Sequence, residues 1–152
     1  MDHAREQPLT RTAISATLHC LTGCAIGEVT GLALATALGW STGASIAASV
    51  ALAFVFGYSL TMIPLLRSGL TLRAALPLAF ASDTLSIATM ELVDSLIVLA
   101  IPGAMAAGLG DALFWGSLAF ALFVAFWVAV PVNRRLLARG RGHAVVHPFH
   151  QH

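Results

Sequence analysis

The groups able to do chemistry in this sequence are concentrated in ten consecutive residues, His19-Cys20-Leu21-Thr22-Gly23-Cys24-Ala25-Ile26-Gly27-Glu28. On a helix turning about 100° per residue, positions four apart advance only about 40°, so Cys20, Cys24 and Glu28 descend one side while His19 stands about 100° round from Cys20. Imidazole, thiol and carboxylate on one surface suit a transition metal. Thiolate favours copper(I) or zinc, and carboxylates favour harder ions or protons. A second group comprises Asp83, Ser86, Met90, Glu91 and Asp94. Asp83, Met90 and Asp94 share a sector of about 40° with Ser86 and Glu91 at its margins, an acidic stripe on an otherwise apolar helix. The expected ligand set is therefore His19, Cys20, Cys24 and Glu28 at a soft end, faced by Asp83, Glu91 and Asp94. No residue is assigned a catalytic role.

Plainer readings stand beside these. A cysteine in an apolar helix is commonly a small packing residue, a lone histidine is commonly just hydrogen-bonded, and an acidic stripe can be a protonated, hydrogen-bonded bundle core. Met62, Met90 and Met105 read as packing. Gly23, Gly27 and Gly31 repeat every four residues on a strip adjoining the cysteines, the pattern that lets two membrane helices approach closely. Four of the six histidines lie in the last ten residues. There His143 and His147 form a weaker candidate metal site, interrupted by Pro148.

The elements that must position these residues follow from composition. Of the 152 residues, 58% are apolar and 10% charged, where a soluble domain carries roughly 25% charge. Four apolar stretches are long enough for membrane spans, at about 12–38, 43–66, 74–101 and 112–132. The expectation is an all-α polytopic membrane protein, four transmembrane helices in an antiparallel bundle, because short connectors favour antiparallel neighbours and an open sheet edge cannot face lipid. Residues 1–11 form an N-terminal tail, 12–133 the membrane domain and 134–152 a basic, His-rich tail. Lys is absent. Arg5 and Arg11 precede the first span, Arg67 and Arg73 separate the second from the third, and Arg134, Arg135, Arg139 and Arg141 follow the fourth. The positive-inside bias thus puts both termini and the middle connector in the cytoplasm, with Trp40 and Trp115 in the opposite headgroup layer. Pro131-Val132-Asn133-Arg134-Arg135 reads as a cytoplasmic surface anchor. No Lys or Arg lies inside the spans to neutralise Glu28, Asp83, Glu91 and Asp94, so those carboxyls must take up protons or outside cations.

Leu21-Thr22-Gly23-Cys24 looks like a bacterial lipoprotein cleavage box, but the apolar run continues to Leu38, which favours an uncleaved span. A net charge of +1 gives no basic patch for nucleic acid. Phosphate loops, dinucleotide fingerprints, nucleophile elbows and zinc-protease helices are missing from the sequence.

The ten-residue segment, with Pro131-Val132-Asn133 and Arg139-Gly140-Arg141-Gly142-His143-Ala144, resembles an uncharacterised family of small bacterial integral membrane proteins, domain of unknown function 4396, from Ala13 to His147. The resemblance implies a bacterial inner-membrane location and no activity. Longer members of that family carry further sequence ahead of the domain, whose functions do not carry over. From the residues themselves, the leading expectation is binding or transport of copper or zinc by a chain that dimerises for lack of internal room. The alternatives are a membrane partner or assembly subunit docking another protein through the glycine strip, a proton-coupled carrier, and a membrane thiol redox protein cycling Cys20 and Cys24. Against the last, one helical turn sets their Cα atoms about 6 Å apart, at the upper end of bridging geometry.

Overall fold

The computed structural model describes residues 3–138, and every regular element among them is helical: α1 (His3–Leu38), α2 (Thr42–Arg67), α3 (Leu72–Ala100) and α4 (Ala112–Ala138). The first two connectors are built alike. Gly39 and Gly69 take positive φ values of 66° and 96°, which glycine adopts without a Cβ clash. The following residue then turns back: the Trp40 N–H donates to the Ala35 carbonyl at 2.9 Å, and that of Leu70 to Leu65 at 3.3 Å. This closes each helix on its own last turn. The next residue opens the new helix, Ser41 and Thr71 accepting the Ala44 and Ala74 N–H groups on their hydroxyls, both at 3.3 Å. Gly-apolar-hydroxyl thus encodes stop and start within three residues. Before α4, the Asp111 carboxylate accepts the Gly108 N–H at 2.8 Å, and the Trp115 indole N–H donates to the Leu109 carbonyl at 2.7 Å.

Three helices, α1 from Leu9, α2 and α4, are long and apolar enough to cross a membrane. The 29-residue α3 is comparable in length but couples an apolar first half, Leu72–Ala81, to its acidic second half. Helix ends run past the spans expected from hydropathy. α1 begins at His3 rather than near residue 12, and α4 continues through Pro131 to Ala138. Hydropathy marks where the apolar run ends, whereas a helix persists until a residue such as Gly39 reverses the chain.

The packing is set by small residues. A Cβ added to Gly23 would lie 2.7 Å from the Gly57 Cα and one on Gly31 would lie 2.5 Å from that of Ser49, while one on Gly27 would overlap the Ala53 backbone. The partner numbers fall as the glycine numbers rise, so α1 and α2 are antiparallel and in backbone contact. α2 buries Ser45, Ser49, Ala53, Gly57, Thr61 and Leu65, and α4 buries Ser117, Ala121, Ala125, Ala129, Asn133 and Leu137, each row stepping by four. Such thin walls let α1 touch all three other helices, including α3 across the bundle. The distribution is that of a membrane protein: alanines and polar side chains fill the interior, while Leu92, Leu96, Phe123 and Trp127 face outward.

Candidate functional site

The α1–α3 contact brings together the two groups that the sequence holds 60 residues apart or more. Both helices run in the same direction there, and their polar residues meet in successive levels. Cys20 faces Asp83 and Ser86, its Sγ 4.0 Å from the Asp83 Oδ1. One turn on, Cys24 faces Glu91. One further turn on, Glu28 faces Asp94, with Glu91 close by. The parallel stepping has a simple cause: on both helices these residues recur near every fourth position, so each turn of α1 finds a polar turn of α3. Met90 and Ile87 close the spaces between levels, packed in one cluster with Cys20, Cys24, Ala53, Ala125 and Ala129.

His19 turns toward α2, where its Nε2 lies 3.2 Å from the Thr61 hydroxyl. Thr17, on the arginine-bearing side of His19, accepts the Asn133 Nδ2–H at 2.9 Å while donating to the Ala13 carbonyl. Asn133, beside the Arg134–Arg135 pair read as a surface anchor, is itself 2% exposed and ties α4 to α1. Ser49, Thr17 and Thr61 also belong to this interior and were not singled out by sequence. For α2 a signal existed: Ser45, Ser49, Ala53, Gly57 and Thr61 repeat at intervals of four, as the glycines of α1 do.

The site is buried and its oxygens are short of protein partners. Glu28, Glu91 and Asp94 are 5%, 4% and 2% exposed. The Glu28 Oε2, the Glu91 Oε1 and both Asp94 carboxylate oxygens have no hydrogen-bonding partner in the protein, and neither do the hydroxyls of Ser49 and Ser86. Each such buried group costs roughly 1–3 kcal/mol, so a stable bundle that keeps several of them has a use for them or holds something against them. Cys20 and Cys24 are both buried free thiols. As the side chains stand, no three His, Cys, Asp or Glu among the described residues are gathered into a metal-sized cluster; the donors are strung along the axis in pairs. Gly23, Gly27 and Gly31 are occupied by α2 of the same chain. His143 and His147 lie outside the described residues.

No curated protein and no solved structure matches the chain. Residues 10–142 match the family described as domain of unknown function 4396. That span takes in α2, α3, α4, α1 from residue 10 onward and every paired level of the polar interior, and the chain belongs to this family.

Proposed function

We propose that this protein is a multi-pass membrane protein of the bacterial inner membrane, with four spans and both termini in the cytoplasm, that binds a transition-metal cation, copper or zinc, in its α1–α3 interior and passes it along the axis. The observation that carries the proposal is the set of unpartnered carboxylate oxygens on Glu28, Glu91 and Asp94, buried beside two thiols with no Lys or Arg in the spans. Carboxyls so placed either hold protons or recruit a cation, and the neighbouring sulfurs bias the cation toward a soft one. Cys20, Cys24 and Glu28 supply donors from α1, Asp83, Glu91 and Asp94 from α3, and His19 stands at the arginine-bearing end of the row. Small side-chain rotations would draw successive levels together around an ion.

Metal content of detergent-purified protein after loading tests this. Wild type retains copper or zinc near one equivalent, and a Cys20→Ser, Cys24→Ser double variant loses it; a wild type that stays metal-free after loading, or that loses its metal only on deletion of the tail after Gly142, sinks the reading.

A second reading, a proton-coupled carrier, draws on the same axial stepping of carboxyls, which suits a proton relay. It predicts proton uptake into vesicles that survives the double cysteine substitution and is abolished by Glu91→Gln.

A further inference from the structure

The row of carboxyls does not end blindly. Beyond Glu28 and Glu91, toward the 101–111 connector, the helices part around a crevice that Glu28, Glu91 and Ser49 line at its inner end, with room for about one water. A second, wider crevice continues from it to the connector, lined by Thr36, Ser45 and Ser117. The two meet at Leu32, Val98 and Met105, which border both.

Three observations give this space a purpose. Three residues that line its inner end, Ser49, Glu28 and Glu91, each carry an unpartnered oxygen, and all three are at least nine-tenths buried. Three orphaned oxygens on one small space are the arrangement that water or a cation satisfies. Gly31 holds α1 in backbone contact with α2 beside Ser49, where a Cβ would lie 2.5 Å from the Ser49 Cα, so the α2 wall at the inner end is fixed against α1. Finally, the outer part is walled in part by the connector, where Ala104 and Ala107 are small and Met105, an unbranched and flexible side chain, lies over the junction.

We propose that this crevice is a hydrated inlet through which a small cation passes from the connector side, beneath Met105, to Glu28 and Glu91. The inference rests on the cation reading for what the inlet serves. Its physical content, water and small cations at Ser49, is tested without the metal site.

The probe is silver ion, a thiol-reactive cation of nearly water size that does not partition into hydrocarbon. In a Cys20→Ser, Cys24→Ser background, Ser49→Cys is compared with Leu96→Cys, a position 58% exposed on the outer surface of α3. Gly110→Cys, in the connector, marks the side from which silver is added to sealed vesicles. Protection of the thiol from later alkylation under denaturing conditions is read by mass spectrometry. Silver added from the connector side should protect Ser49→Cys at least about tenfold faster than Leu96→Cys, since a carboxylate-lined cleft concentrates cations. Adding Met105→Trp should slow it again. Equal, slow protection of both thiols overturns the inlet, as does a Ser49→Cys rate that Met105→Trp leaves unchanged. If Ser49→Cys does not fold, Ser95→Cys, which borders the inner crevice, takes its place with the same two outcomes. Fast protection in a protein whose wild type binds no copper or zinc keeps the inlet and removes the metal; metal binding with no protection does the reverse.

Discussion

The carboxyls and thiols of α1 and α3 differ in how well they are supported, and Asp94 is the extreme. It is 2% exposed, no N–H or hydroxyl donor reaches either of its oxygens, and the group it faces is the Glu28 carboxyl, with which it can share a proton. A residue kept for fold stability would have donors around it. We therefore expect Asp94→Asn, which keeps the shape and removes the charge, to leave the thermal midpoint of metal-free protein unchanged or raised, by up to about 2 kcal/mol of stability, while weakening cation binding at least tenfold. Thermal unfolding followed by circular dichroism, with zinc titrations alongside, measures both. An Asp94→Asn variant that unfolds while wild type does not would make the carboxyl structural. Much of this site was legible from spacing alone: Cys20, Cys24 and Glu28 on one strip, and Asp83, Glu91 and Asp94 on another, are consequences of helical periodicity. That the two strips meet was expected from their chemistry but not fixed by spacing, because contact between non-adjacent helices depends on how thin the intervening side chains are. Nor was the role of Asn133, whose neighbours Arg134 and Arg135 read as surface while its own side chain points inward to Thr17.

At the scale of elements, what matters is the closeness of α1 and α2. Their backbones meet at Gly27 and Ala53, and this lets α1 sit deep enough to reach α3. Gly27→Ala should therefore cost about 1–3 kcal/mol, as an overpacked interface does, and should lower metal retention although Gly27 itself has no donor. Gly116→Ala on α4 is the control. A Cβ there meets nothing within 4 Å, so the substitution should be neutral or stabilise by up to about 1 kcal/mol through helix propensity. Unfolding midpoints of the two variants in the same detergent separate them, and equal midpoints would remove the close approach as the organising contact. The four-residue repeat of glycine in α1 was visible in the sequence, and so, on inspection, is the Ser45-Ser49-Ala53-Gly57-Thr61 row that receives it. The turns were visible only as connectors. Their chemistry, a left-handed glycine followed by an apolar residue and a hydroxyl cap, is written out twice, at Gly39-Trp40-Ser41 and Gly69-Leu70-Thr71, yet helix ends drawn from hydropathy miss it because such ends follow the apolar boundary instead.

For the whole molecule, the decisive element is α3. Among the described residues α1, α2 and α4 are long and apolar enough to span while α3 carries its carboxyls against it, and a three-span chain would put its ends on opposite sides of the membrane. The bundle supplies the compensation that hydropathy omits: Asp83, Glu91 and Asp94 are all buried against α1, while Leu85, Leu92, Leu96 and Leu99 form the outer face of α3. A charged residue turned inward does not meet lipid, so the insertion penalty of about 2.5–3.5 kcal/mol per carboxylate at a lipid-exposed helix centre does not apply to the assembled bundle. The proposed four-span arrangement would also gather Arg67, Arg73, Arg134 and Arg135 at one membrane face and Trp40 and Trp115 at the other, since they fall at opposite ends of the antiparallel helices. Reporter fusions decide the matter. Alkaline phosphatase joined after Trp40 or after Gly108 should be active and fluorescent protein there dark, whereas fusions after Leu70 and after Ala138 should show the reverse. Were α3 to lie outside the membrane, the Leu70 and Gly108 fusions would report the same side and the Ala138 fusion would switch. In that case Asp83, Glu91 and Asp94 would not face α1 within the bilayer, and both the cation site and its inlet would fall with the fourth span.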